Sequence, residues 1–210
     1  MFKTIKEDLE AQIVEKKSKF IANIFYVQNE EEAQNYLNSI RKKYHDAKHH
    51  CYAYCIMTED GIINRFSDDG EPAGTAGSPM LNILNKNNIV NVIVIVTRYF
   101  GGILLGTGGL VKAYTSSTLK ALENAEFVSE ERGYEIKIQI SYSDFEKFKF
   151  YCTNNDIRIF DTIYNDKIIC TIELNKEQKD NFLNNINELM FKLEEIKIIK
   201  EKNIRKSIDK

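Results

Sequence analysis

Glycines crowd one short segment of this chain in a pattern that suits anion binding. Five of the ten glycines lie between Thr97 and Tyr114, namely Gly101, Gly102, Gly106, Gly108 and Gly109. Glycine costs about 0.5–1 kcal/mol inside a helix or strand, so such a group of glycines serves a backbone demand, either positive φ or the close approach of another group. A glycine loop before a helix can direct backbone N–H groups at a phosphate, and Arg98 and Lys112 would add positive charge.

The spacing of these glycines leaves three interpretations open. It matches neither the P-loop pattern GxxxxGK[ST] nor the dinucleotide-binding pattern GxGxxG, because Gly109 runs directly into Leu110. The glycines could shape a tight crossover that lets a helix pack closely on a sheet, they could bind an anion or a nucleic-acid backbone, or they could serve catalysis. Spacing alone favours the packing role, with anion binding second.

A second unusual segment, residues 65–79, contains both prolines of the chain and three acids. Asp68, Asp69 and Glu71 could hold a divalent cation through carboxylate oxygens, or they could lie in a solvated turn. The spacing is not that of an EF-hand loop, and Asp-Gly is an ordinary turn dipeptide, so the solvated turn is favoured. Ser78 followed by Pro79 predicts the N-cap and first turn of a helix.

All three histidines lie in one short stretch that ends at Cys51. His49 and Cys51 alternate along a predicted strand and therefore share one face. Metal binding and a Cys51 nucleophile with a histidine base are the two chemistries to consider. The other three cysteines form no CxxC pair, so no metal site is expected, and a buried cysteine beside a surface histidine is the favoured interpretation.

Apolar periodicity places these segments at the ends of predicted elements. The first half of the chain is predicted to contain the strands Phe20–Val27, His50–Met57, Ile62–Phe66 and Val92–Val96 and the helices Glu30–Tyr44, Pro79–Asn85 and Leu110–Asn124. This order predicts an α+β sandwich. The glycine segment joins its most apolar strand to its last helix.

The second half is predicted to form a separate module. Its elements are the strand Tyr134–Ile140, the helix Tyr142–Asn154, the hairpin Ile157–Tyr164 with Lys167–Leu174, the helix Lys176–Met190 and the strand Glu195–Ile199. A βαββαβ order is that of the ferredoxin-like fold. Charged residues interrupt the pattern near Phe127 to Gly133, so the predicted domains are 1–128 and 133–203. The residues after 200 are expected to be frayed.

Composition limits the classes of partner. A net charge of −2 and a pI near 6.0 give no global attraction to nucleic acid, so RNA binding would need a local patch, and no DNA sequence specificity is expected. The longest apolar run is far short of the 20 or so residues that a membrane span needs, so no membrane partner is predicted. Unpaired cysteine spacing and a polar N-terminus predict a cytoplasmic protein with reduced thiols.

Three motifs together resemble the signatures of the Impact family, in its YigZ-type bacterial branch. They are His49–Tyr54, Phe66–Gly77 and Arg98–Tyr114, each without a gap. The resemblance covers essentially the whole chain. It implies an N-terminal ribosomal-protein-type βαβ sandwich, shared with elongation factor domains, and a C-terminal ferredoxin-like domain similar to another domain of elongation factor G.

The resemblance also carries expectations about function. Eukaryotic members of the family are translation regulators that act through protein contacts restraining an amino-acid-starvation kinase. From the resemblance, this chain is expected to begin directly at the Impact-like domain, without the additional N-terminal partner-binding domain of those members. For the bacterial branch the resemblance implies ribosome or RNA binding, by analogy of domains.

Two hypotheses follow. The favoured one is a non-enzymatic translation-associated regulator, with a role in stress responses and no cofactor. It would dock RNA, the ribosome or a protein partner through the glycine segment, with Arg98, Tyr99 and Lys112 contacting a nucleic-acid backbone. The alternative is a phosphate- or nucleotide-dependent small-molecule enzyme, in which acids of residues 68–71 position a metal and His49 transfers protons. Both hypotheses require the acidic segment and the glycine segment to share one surface.

Overall fold

The computed structural model of the chain describes residues 2–58 and 60–207. The described residues divide into two compact units: unit 1 is residues 2–129 together with Lys206 and Ser207, and unit 2 is Glu130–Arg205. Each unit has its own apolar core. The predicted two-domain α+β architecture is confirmed.

Unit 1 is built on an antiparallel five-stranded sheet. Its elements are β1 (Phe2–Ile5), β2 (Leu9–Glu15), β3 (Ser18–Tyr26), α1 (Glu30–Lys43), β4 (His49–Thr58), β5 (Gly61–Ser67), α2 (Gly77–Lys86), β6 (Val92–Tyr99) and α3 (Gly106–Leu122). The sheet order is β2-β3-β6-β4-β5. The central strand β6 is therefore not adjacent in sequence to either of its neighbours.

Helices cover both faces of this sheet. Val92, Val94 and Val96 of β6 face the core formed with α2 and α3, whereas Ile93 and Ile95 face α1. Successive side chains of a strand point to opposite faces, so a strand segment buried on both sides is expected to be apolar, as β6 is from Val92 to Val96. Because β6 is buried on both faces, its position is fixed, and so is the point at which the glycine segment leaves the sheet.

Unit 2 has the ferredoxin-like arrangement expected from the sequence. The strand β7 (Phe127–Ile140) leads into it and is followed by α4 (Tyr142–Asn154), β8 (Arg158–Tyr164), β9 (Ile168–Asn175), α5 (Lys176–Asn184) and β10 (Leu193–Ser207). Strand β9 pairs with β7 and β8, and β10 pairs with β7, which gives the order β10-β7-β9-β8. Asn175 caps α5 through a capping box with Gln178.

Several predicted boundaries differ from the structure. No element was predicted before Phe20, yet β2 forms a hairpin with β3, and its inner residues Leu9, Ala11 and Ile13 pack against the core. The predicted N-cap at Ser78 is wrong, because α2 begins at Gly77. The predicted frayed terminus is also wrong as far as Ser207, because β10, which pairs with β7, continues to that residue; the rest of this prediction lies outside the described residues.

Within residues 2–58 and 60–207, no helix is both long enough and apolar enough to cross a membrane.

Candidate functional site

One end of the unit 1 sheet brings the sequence motifs together. His49, at the start of β4, lies opposite Arg98 near the end of β6, and Lys19 of β3 lies opposite Tyr99. The glycine segment leaves the sheet at this end, and the acidic segment follows β5 at the same end, where Tyr52 pairs with Ser67.

Asp68 organises the acidic segment from within. Its carboxylate accepts hydrogen bonds from the backbone N–H groups of Gly74, Ala76 and Gly77, at 2.8, 2.9 and 2.8 Å. These bonds satisfy donors at the start of α2 that the helix itself cannot satisfy. Asp68 thus takes the capping role that the sequence assigned to Ser78, and the expected solvated turn is wrong.

Asp69 connects the acidic segment to α1 and β4. One carboxylate oxygen lies 3.1 Å from Arg41 and the other accepts the backbone N–H of His50 at 2.7 Å. The Asp69 carbonyl oxygen lies 2.8 Å from Nδ1 of His49. Burial lowers the pKa of His50, whose ring nitrogen Nε2 lies 3.1 Å from the Tyr44 carbonyl oxygen. Asp69 and the histidines are therefore engaged in holding the segment against the sheet.

Glu71 reaches the glycine segment through a buried ion pair. Its Oε1 lies 2.6 Å from the guanidinium of Arg98 and accepts the Tyr114 hydroxyl at 2.9 Å. Arg98 is only 6% exposed, with its guanidinium 5.5 Å from the Phe20 ring and 5.6 Å from the Phe100 ring. Contrary to the expectation from sequence, Arg98 does not present its charge to solvent, because Glu71 neutralises it.

Cys51 completes this buried network, which we define as Cys51, Glu71, Arg98 and Tyr114. The Cys51 thiol donates to the Asp68 carbonyl oxygen at 2.9 Å, and its sulfur lies 3.2 Å from the Tyr114 hydroxyl. Burial raises the pKa of Cys51 to about 12 and also raises the pKa of Tyr114. Because the thiolate is the nucleophilic form, a thiol held protonated in the core is unsuited to attack.

The three acids of the candidate site face different partners. Asp68 faces the start of α2, Asp69 faces Arg41 and His50, and Glu71 faces Arg98. Across the described part of the chain, no group of three or more His, Cys, Asp or Glu side chains is arranged to hold a metal ion. The acidic and glycine segments do meet, as both hypotheses required, but they meet through Glu71 and Arg98.

The five glycines meet different demands. At Gly101 a Cβ atom would lie 2.0 Å from the carbonyl carbon of Lys17, so only glycine permits this contact with the β2–β3 hairpin. Gly102 and Gly106 have positive φ. A Cβ on Gly109 would contact Leu105 at 3.1 Å, whereas one on Gly108 would meet nothing within 4 Å. Gly108 lies in the first turn of α3, so the helix begins earlier than predicted and leaves open backbone there.

Large apolar side chains project from this segment into solvent. Phe100 is 57% exposed, Ile103 is 43% exposed and Leu104 is 83% exposed, and Lys112 is exposed on α3. We call Phe100, Ile103, Leu104, Gly108 and Lys112 the glycine-loop surface. Tyr99, which precedes Phe100, donates its hydroxyl to Asp46 at 2.7 Å and is not among these residues. Sequence reasoning missed Phe100, Ile103 and Leu104, although apolar residues among glycines, outside any helical or strand period, were the available signal.

Comparisons with known proteins agree with the motifs. The Impact N-terminal domain family matches residues 16–122, and a domain of unknown function (DUF1949) matches residues 138–190. The chain is 36% identical to the IMPACT family member YigZ of Escherichia coli over 76% of its own length and 78% of that relative.

Two further proteins extend the comparison. The IMPACT family member YvyE of Bacillus subtilis is 46% identical over 58% of this chain, a match that spans 55% of that relative. A crystal structure described as that of a hypothetical protein aligns with a TM-score of 0.61 and 31% identity, covering 91% of this chain and 95% of the other. The extent of these matches shows that the chain belongs to the Impact family.

Proposed function

We propose that this chain is a translation-associated regulatory protein that acts by docking on the ribosome through its glycine-loop surface. Membership of the Impact family supports the link to translation, since eukaryotic members regulate that process. The observation that carries the docking mode is the exposure of Phe100, Ile103 and Leu104 on one loop. Folding gains nothing from leaving such side chains in solvent, and grouped exposed apolar residues mark interaction sites.

The support beneath this loop fits a binding surface. The Arg98–Glu71 ion pair and the contact of Gly101 with the β2–β3 hairpin fix both the start of the loop and the strand before it. A loop held on a rigid scaffold loses little conformational entropy when it binds, which favours affinity. The buried network therefore has a positioning role.

The same contacts favour binding over the phosphate- or nucleotide-dependent enzyme. The groups assigned chemistry in that alternative are engaged inside the protein: Asp68 caps α2, Glu71 pairs with Arg98, and Nδ1 of His49 lies 2.8 Å from the Asp69 carbonyl oxygen. The exposed groups of the surface are apolar side chains, open helix backbone and Lys112. Apolar side chains can pack against a partner, an aromatic ring can stack on a base, and Lys112 can attract phosphates.

Sedimentation with ribosomes tests the proposal. We expect the full chain to comigrate with ribosomal particles in a sucrose gradient at low salt and less so at moderate salt. Leu104→Ser should reduce the comigrating fraction without changing the fold, since Leu104 is almost fully exposed. Leu119→Ser is the matched control, because Leu119 is an exposed leucine near the C-terminal end of α3 and outside the glycine-loop surface.

Two results would overturn the proposal. The first is no comigration of the unaltered chain at either salt concentration. The second is an equal effect of Leu104→Ser and Leu119→Ser, which would show that the glycine-loop surface has no special part in docking.

A further inference from the structure

The turn of the β2–β3 hairpin has an unfavourable backbone for its residues. Lys16 and Lys17 form the two-residue turn between the paired residues Glu15 and Ser18, and their φ angles are 43° and 66°. Positive φ at both central positions is the type I′ arrangement, for which Asn-Gly and Gly-Gly are preferred. The left-handed conformation costs a side chain such as lysine about 1–2 kcal/mol per residue. Two lysines at this turn therefore oppose local stability.

The glycine segment holds this strained turn in place. The Gly101 backbone packs directly on the Lys17–Ser18 peptide, and the Gly101 N–H donates to Oγ of the buried Ser18 at 3.1 Å. Strained residues that the surrounding structure fixes in this way occur preferentially at functional sites. The backbone of the lysine turn therefore lies against Gly101, the residue that follows Phe100.

These lysines carry charge that the protein does not neutralise. Lys16 and Lys17 are exposed, and within residues 2–58 and 60–207 neither has a carboxylate within 4.0 Å, whereas Lys6, Lys43 and Lys120 each do. Lys19, two residues on, lies with its ammonium 4.5 Å from the centre of the Tyr99 ring. The turn thus carries two exposed lysines without an ion-pair partner in the described part of the chain, whose net charge over its full sequence is −2.

We propose that Lys16 and Lys17 bind the phosphate backbone of RNA at the glycine-loop surface. This inference rests on the proposed docking function and names the chemistry of the partner. Unstacked RNA alternates phosphates with free base faces, and lysines next to an exposed aromatic ring match both features. An acidic protein would satisfy the lysines but offers no base to stack on Phe100, which is 57% exposed.

The chain offers a variant that removes the charge without weakening the hairpin. Lys16→Asn with Lys17→Gly places the preferred Asn-Gly pair at the type I′ turn. Lys86→Asn with Lys176→Asn is the matched control, since it removes two exposed lysines, neither with a carboxylate within 4.0 Å among the described residues, from the end of α2 and the start of α5. The melting temperature of the hairpin variant should equal or exceed that of the unaltered chain, because strain is relieved.

Binding to a single-stranded RNA oligonucleotide is measured by fluorescence anisotropy across a salt series. Each phosphate contact to a single strand contributes about 0.7 to the slope of log affinity against log salt, so the hairpin variant should lower the slope by about 1.4 and weaken binding roughly 20-fold at 0.1 M salt. The control variant should leave the slope close to that of the unaltered chain.

The outcomes separate this inference from the docking proposal. If the chain comigrates with ribosomes but the hairpin variant and the control behave alike, the lysine turn is not the contact and the inference is overturned while docking stands. If ribosomes are bound but RNA is not, the partner at this surface is a protein, which also overturns the inference. If neither ribosomes nor RNA are bound, both proposals fall.

Discussion

Replacing Glu71 with glutamine tests whether the buried ion pair holds the candidate site together. Glu71→Gln preserves side-chain volume but removes the carboxylate that lies 2.6 Å from Arg98. Arg98 is 6% exposed and its Nε has no hydrogen-bond partner, so the guanidinium would become an unpaired buried charge. Breaking a buried ion pair costs about 3–5 kcal/mol. We expect a loss of about 3 kcal/mol in the free energy of unfolding, because the Phe20 and Phe100 rings still contact the guanidinium.

The assay must report on unit 1. The chain has no tryptophan, so urea unfolding is followed by far-UV circular dichroism, and amide hydrogen exchange of β4 and β6 assigns the loss to this sheet. The control is the double variant Glu71→Gln with Arg98→Met, in which no buried charge remains. It should be more stable than Glu71→Gln alone, with a coupling of about 2 kcal/mol in the double-mutant cycle.

A loss of less than about 1 kcal/mol for Glu71→Gln, or a double-mutant coupling near zero, would refute this reasoning. Either result would mean that the two charges are hydrated or separated in solution. The buried network would then not position the glycine-loop surface.

Three further predictions concern single contacts. Gly101→Ala should destabilise the chain by about 1–3 kcal/mol, because its Cβ would clash with the hairpin. Gly108→Ala should stabilise it by about 0.5–1 kcal/mol, because its Cβ meets open space in a helix. Thermal unfolding of the two variants measures both changes, and shifts of the same sign would contradict the prediction. Asp68→Ala should cost about 1–2 kcal/mol by uncapping α2, and equal urea midpoints for variant and parent would contradict it. Burial lowers the folded-state pKa of His50, so as the pH decreases through 6.5 the unfolded state binds more protons than the folded state and the free energy of unfolding decreases. His50→Gln should flatten this pH dependence in a series of urea titrations, and an unchanged slope would count against it.

Local pattern predicted much of the fold. The apolar run Val92–Val96 and the βαββαβ order of the second half depend on near neighbours in sequence, through the periods of strands and helices. The strand β2 escaped prediction although Leu9, Ala11 and Ile13 alternate with more exposed residues. Its hairpin turn contains two lysines at the positions where Asn and Gly usually indicate a type I′ turn, so the sequence signal for the hairpin was absent.

The candidate site required contacts between distant segments. Arg98 and Lys112 looked alike from sequence as cations near glycines, yet Arg98 is buried against Glu71 while Lys112 is exposed. Asp68 looked like a solvated turn residue and instead caps α2. The charge and type of a side chain can be read from the sequence. Its burial and its interaction partner depend on which strands pair in the folded chain.

The sequence by itself determined the family, the two α+β modules and the place of the glycine segment between a buried strand and a helix, because motifs and periodicity are local. Only the tertiary structure decided which of the candidate residues face inward and which face solvent. The order β2-β3-β6-β4-β5 brings Glu71 to Arg98 and Gly101 to Lys17, while Phe100 and Leu104 remain exposed.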